Sequence, residues 1–320
     1  SVSFATRRSP VRSRSGPPIN MEYILFAFLA LLASAANTIF NRISANKIGS
    51  LVSSVIKAFF IVIACFIISA SFGHLNQLYS LTKEQWIWIG VLGLVTCVDW
   101  IFYFLSIKRA HLEAFAPFEA SCVLFLSNML FSIFMFASVT KGGTPLNIVL
   151  FFLGLACLLG AMLFAVLNKK INPSTKKIWV LYATLTALAM AFTLVIVKTK
   201  LSDVPSDVIA YHQMFIVFVV CGIMMLASKS YKELKTVGWK DYLKFFIAAL
   251  FNALLMVFRY KAFSYDNAVP SIINCIVSFD FVLVSTATVL FFKAQNKKQL
   301  IILIIIVGAG MALNVVSGLV

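Results

Sequence analysis

Acidic residues are scarce: 320 residues hold eleven Asp and Glu against 27 Lys and Arg, with three His. Charged residues make up only 12% of the chain and apolar ones 61%, and the mean hydropathy is +0.97. That leaves too little polar surface for a water-soluble domain, so the implied solvent is a lipid bilayer. Other absences narrow the function. No GxxxxGK[ST] loop is present, which argues against an ATP-driven motor. All six cysteines (Cys65, Cys97, Cys122, Cys157, Cys221, Cys275) fall inside apolar runs without CxxC spacing, and His74, His111 and His212 lie far apart without HExxH spacing. No metal, no cofactor and no catalytic constellation is therefore expected, and the chain reads as a non-enzyme. The net charge of +16 does not point to nucleic acid either. The basic residues are scattered through short segments between apolar runs, as Lys169, Lys170, Lys176 and Lys177 are, where they sit beside a membrane.

What is present is a series of apolar runs. A hydrocarbon core about 30 Å thick needs roughly 20 helical residues, so the length accommodates about ten spans. Hydropathy places five near 23–41, 50–72, 86–107, 114–138 and 146–167, separated by Gly49, Gly73, Lys108-Arg109 and Lys141-Gly142-Gly143. After a basic hinge from Lys169 to Lys177, five more follow near 178–197, 205–228, 242–264, 268–292 and 299–319. The expected fold is an all-α integral membrane protein of ten transmembrane helices, with repeats over 21–168 and 176–320. The Ser/Arg/Pro-rich stretch 1–20, with Arg7, Arg8, Arg12 and Arg14, fits an upstream scar before Met21, a basic disordered tail or a transit-like leader. It is set aside from the fold.

The two halves register at a shift of 156 residues, which places Arg42 over Lys198, Lys57 over Gln213, Phe59 over Phe215 and Phe102 over Phe258. An odd number of helices per half forces the second half to enter the membrane from the other side, so the repeats are inverted. Inverted repeats are the usual frame of alternating-access transporters, with the site near the midplane where the halves meet.

The run LTKEQWIWIGVLGLVTCVDWIFYFLSIKRAHLEAFAPFEASCVLF contains Trp86, Gly93, Trp100, Tyr103, Phe104, Pro117 and Ser121. A looser echo, FRYKAFSYDNAVPSIINCIVSF, holds Tyr260, Ala262, Ala268 and Pro270. With these residues and this layout the chain resembles the drug/metabolite transporter superfamily, specifically its EamA-like branch of ten-helix, two-repeat carriers, over residues 21–320. The charged segment Lys108, Arg109, His111 and Glu113 departs from the small-residue loop such carriers have between their third and fourth helices.

Charges at membrane depth cost roughly 2.5–3.5 kcal/mol each on insertion scales, so they tend to face a cavity or a partner. Lys57 lies in the second span, either lining a cavity or snorkelling. Its counterpart Gln213 is flanked by His212, and these are expected either to line the site or to bond neighbouring helices. Asp99 and Tyr103 are four apart and share a helix face, suited to a polar ligand group or to an ion pair with Lys57 or Arg259. Glu119 follows Pro117, which frees a backbone carbonyl, and is the strongest single candidate for substrate binding or proton coupling. Asp280 lies mid-way along the ninth span, as a proton carrier or a cation's partner. Arg259 and Lys261 are expected at the cavity mouth. Asn37, Asn41, Asn252 and Asn274 more often knit helices together. Gly154, Gly160, Gly308 and Gly310 fit close helix packing within the chain, or in a homodimer.

Counting Lys and Arg in the loops, with Lys244, Arg259 and Lys261 at the ends of the eighth span included, gives sixteen after odd-numbered spans against six after even-numbered ones, which puts Met21 outside. The family resemblance implies both termini in the cytoplasm. The functional expectation is a secondary transporter in the cell membrane, exporting or exchanging a small polar metabolite such as an amino acid by alternating access, with a proton gradient or counter-substrate as energy source. Two alternatives are an antiporter of anionic sugar phosphates or nucleotide sugars, and, from another class, an intramembrane enzyme or lipid-handling protein.

Overall fold

A computed structural model gives the fold and describes residues 22–45, 48–110, 112–140, 145–169, 177–266, 268–291 and 297–319. The leader 1–20, Lys141-Gly142-Gly143, the hinge residues 170–176 and His111 lie outside the described residues. The helices run α1 (Glu22–Ala45), α2 (Ser50–Ser71), α3 (Lys83–Arg109), α4 (Leu112–Thr140), α5 (Pro145–Leu167), α6 (Ile178–Lys200), α7 (Ser206–Ala227), α8 (Trp239–Ser264), α9 (Pro270–Ser278), α10 (Asp280–Phe291) and α11 (Lys297–Leu319). Short 3-10 turns at Leu75–Leu78 and Ser230–Thr236 follow α2 and α7. Among the described residues eight helices are long and apolar enough to cross a bilayer, and Ala114–Leu130 and Ile272–Thr288 are shorter apolar stretches. The fold is thus the all-α multi-pass membrane architecture expected.

The ninth span differs from the continuous helix expected over 268–292, because it is broken at Phe279 into α9 and α10. The cause is local. Asp280 accepts a hydrogen bond from the Phe281 backbone N–H, and short-range bonds from Phe279 N–H to the Ile276 carbonyl and from Val282 N–H to that of Phe279 tighten the chain there. An aspartate that binds its own backbone competes with the helical ladder.

Packing between the halves carries the symmetry. Helix α1 packs on α8 and α3 on α6, while α2 packs on α7, α5 on α11, and α4 on α6, α9 and α10. Exchanging each first-half helix for its second-half equivalent maps α1·α8 onto α3·α6, returns α2·α7 and α5·α11 to themselves, and maps α4·α6 onto α9 and α10 against α1, which also pack. A two-fold relation between the halves has this signature. Because each half crosses the membrane an odd number of times, the axis lies in the membrane plane.

The ends of the α2·α7 pair are tied reciprocally. His74, after α2, meets the Asp207 carboxylate at the start of α7 at 2.9 and 3.0 Å. Glu233, in the turn after α7, accepts the Gly49 N–H at the start of α2 at 2.7 Å. These contacts sit at opposite ends of the bundle. At the His74 end, Gln85 donates to Asp203 at 3.0 Å, and a capping box between Thr82 and Gln85 starts α3.

Glycines close the α5·α11 seam. A Cβ on Gly154 would lie 2.9 Å from the Gly310 carbonyl oxygen and collide with the Asn314 amide, and one on Gly310 would lie 3.1 Å from the Gly154 carbonyl. These two glycines therefore serve helix packing within the chain. Gly154→Val is expected to destabilise the protein by about 1–3 kcal/mol through overpacking. It also disturbs Asn314, which accepts from Asn128 at 3.0 Å and donates to the Gly310 carbonyl at 2.9 Å. The check is thermal unfolding in detergent, with Gly160→Val as the contrast, since a Cβ there meets nothing within 4 Å.

Candidate functional site

A cavity of about 980 Å³ of space not filled by protein atoms, counted out to its mouth, lies between the two halves. First-half residues from α1, α2, α3 and α4 and second-half residues from α6, α7, α8, α9 and α10 line it. The lining repeats at the 156-residue shift: Asn37 with Thr193, Lys57 with Gln213, Thr96 with Asn252, Trp100 with Met256 and Tyr103 with Arg259 all face the same space. Position is symmetric while chemistry is not. Lys57 stands opposite a neutral Gln213, Arg259 opposite a phenol, and Asp99 opposite Leu255.

Of the residues singled out in the sequence, Lys57, Asp99, Tyr103, Glu119, Gln213 and Asp280 line the cavity. Lys57 does not snorkel. It is 2% exposed, donates to Asn37 Oδ1 at 2.6 Å and lies 4.9 Å from the Trp100 ring centroid. A buried ammonium held by one amide and an aromatic face keeps other N–H donors for a ligand. Gln213 is the middle of a chain: Tyr260 Oη donates to its carbonyl at 2.8 Å and its amide donates to Thr96 Oγ1 at 2.6 Å. Tyr103 Oη accepts from Asn41 at 3.1 Å. The Ser34 hydroxyl donates to the Asp280 carboxylate. Asp99 is 8% exposed. Among the described residues neither its carboxyl nor that of Glu119 has a hydrogen-bond or ion-pair partner.

Three placements correct the expectation. Arg259 belongs to the wall and not to the mouth; it is 5% exposed and donates to Asn274 Oδ1 at 3.0 Å, leaving its Nε without a partner. Lys261 is exposed and stacks over Tyr265 at 5.6 Å. It lies two residues along α8 from Arg259, so it points to the other side of the helix. His212 is buried outside the cavity, with Nε2 on the Leu78 carbonyl at 2.9 Å and its ring against Trp86. His212→Phe keeps the ring packing and removes that bond. It is expected to cost about 1–3 kcal/mol of stability and to leave the order of substrate preference unchanged, which unfolding and competition transport measure together.

Direct ion pairing is also absent where it was an alternative. Among the described residues the pairs within 4.0 Å are His74–Asp207, Lys200–Glu84 and Lys244–Asp241, all outside the cavity. The five cavity charges interact through space instead: Lys57 with Asp99 and Glu119, and Arg259 with Asp280, Asp99 and Glu119. Sequence reading assigned Asn37, Asn41 and Asn252 to helix knitting and did not weigh Thr96, Thr193 or Ser278, all of which line the cavity. The 156-residue register is the signal that could have found Thr96 and Asn252 together. Among the described residues no cluster of His, Cys, Asp and Glu is arranged to hold a metal ion.

One solved crystal structure is similar in fold with a TM-score of 0.62 over 92% of this chain and 97% of its own, at 17% sequence identity. No curated protein matches the chain. Residues 177–316, from the start of α6 into α11, match the EamA-like transporter family, a family of membrane transporters of small molecules. The match covers the second five-helix half, so that half is similar to the EamA-like transporters.

Proposed function

We propose that this protein is a secondary carrier in the cell membrane that exports or exchanges a small polar metabolite bearing both amino and carboxyl groups, an amino acid being the simplest. One observation carries the reading: one cavity between the halves presents acids and cations to the same space, and among the described residues the carboxyls of Asp99 and Glu119 have no protein partner. A zwitterion satisfies both signs at once, its ammonium on a carboxylate and its carboxylate on Lys57. The alternating-access frame follows from the inverted repeats, whose two-fold relation makes an inward-open and an outward-open packing of similar energy available to one sequence.

The anionic alternative is disfavoured by the same lining, since three carboxyls against two cations repel a doubly charged phosphate ester. The test is counterflow in proteoliposomes loaded with amino acids, sugar phosphates or nucleotide sugars. Saturable exchange of amino acids, driven by trans substrate or by an imposed pH gradient, is expected. Saturable exchange of sugar phosphates with none of amino acids overturns the reading.

A further inference from the structure

The cavity charges do not pair off evenly. Three carboxyls, Asp99, Glu119 and Asp280, face two cations, Lys57 and Arg259, in one cavity. Asp280 accepts from Ser34, while Lys57 and Arg259 donate to Asn37 and Asn274. Glu119, on α4, is the acid in excess, and no side chain or backbone donor among the described residues reaches it. A half-buried carboxylate that faces a cavity with no donor and more acids than bases around it is costly unless something else brings a positive charge. Asp99 adds a second, independent sign of a ligand, being more than nine-tenths buried, lining the cavity and equally without a partner.

We infer that the transported substrate carries one net positive charge, with one carboxylate and two amines, and that Glu119 receives the second amine: a basic amino acid. This rests on the amino acid reading above and sharpens it. The α-carboxylate meets Lys57, whose ammonium has N–H donors beyond the one given to Asn37. The α-ammonium meets Asp99 across the same space. The side-chain ammonium then reaches α4, where Glu119 follows Pro117. A neutral amino acid of the same length leaves Glu119 without a partner, which is the basis of selection against it.

The test is competition counterflow on the wild-type chain and on Glu119→Gln with lysine, ornithine and norleucine, run at clamped and at imposed pH gradients. Lysine and ornithine are expected to compete at least about tenfold better than norleucine in the wild type, because the neutral isostere strands a buried charge. In Glu119→Gln that preference is expected to vanish or invert, and an unchanged thermal unfolding midpoint in detergent shows that the variant folds. Saturable norleucine exchange equal to that of lysine in the wild type overturns the inference while the amino acid reading stands. So does norleucine exchange carrying one proton per turnover, since the proton then supplies the missing charge. Exchange of no amino acid at all defeats both.

Discussion

Lys57→Met is expected to reduce counterflow by more than about 100-fold while the protein remains monodisperse in detergent. Methionine matches the lysine stem closely, so the packing of α2 against α7 and α3 survives, and what disappears is the ammonium. With it go the 2.6 Å bond to Asn37 and the contact over Trp100, a stability loss of about 1.5–3 kcal/mol for a charged hydrogen bond. The transport loss is larger for a separate reason. Asp99 then has no cation ahead of Arg259, and a substrate carboxylate entering the cavity meets three acids and one base. Stranding a buried charge costs about 3–5 kcal/mol, equivalent to two to three powers of ten in rate or affinity. Gln213→Leu is the internal control, since it occupies the equivalent position in the other half. It breaks the Tyr260–Gln213–Thr96 chain without altering charge, so its effect should fall mainly on stability. Equal transport losses in the two variants would mean that Lys57 acts through packing alone.

This contrast shows how much was legible in the sequence. The spans, the odd count per half and the inverted relation were readable because hydropathy and length alone dictate them in a bilayer. Most of the charged lining was readable for the same reason, since an ionised group at depth needs a cavity or a partner. His212 misled because a ring nitrogen beside Gln213 in sequence sits on the next face of α7, where it finds the Leu78 carbonyl. Arg259 was placed too shallow because depth was counted from the helix end, whereas its side chain lines the cavity and reaches Asn274 on α9. The break at Phe279 was missed because no proline or glycine marks it; it arises from one aspartate binding its own backbone. Thr96, Thr193 and Ser278 carry no charge, and only the shared cavity gives small hydroxyls a role beyond bonding their own helix.

Arg259 and Asp280 offer the sharpest test of the electrostatic frame. They come from α8 and from the break between α9 and α10, both in the second half, and they act on one another without being in direct contact. Arg259→Met should destabilise the protein by about 3–5 kcal/mol, because Asp280 then keeps two neutral donors, the Ser34 hydroxyl and the Phe281 N–H, but no cation. Asp280→Asn should be destabilising in the same sense, with Arg259 left on Asn274 and the Met190 sulfur. The double variant removes both charges at once and should recover part of the loss, with a coupling energy of about 1–3 kcal/mol. Thermal unfolding of the four proteins in one detergent closes the cycle. Strict additivity would separate Arg259 from Asp280 and hand the cation to Asp99 or Glu119, so that the unpaired carboxyl of the cavity would no longer be Glu119. A clear coupling instead fixes both cations to their own carboxylates, and the group that a positively charged substrate must satisfy is then the one on α4.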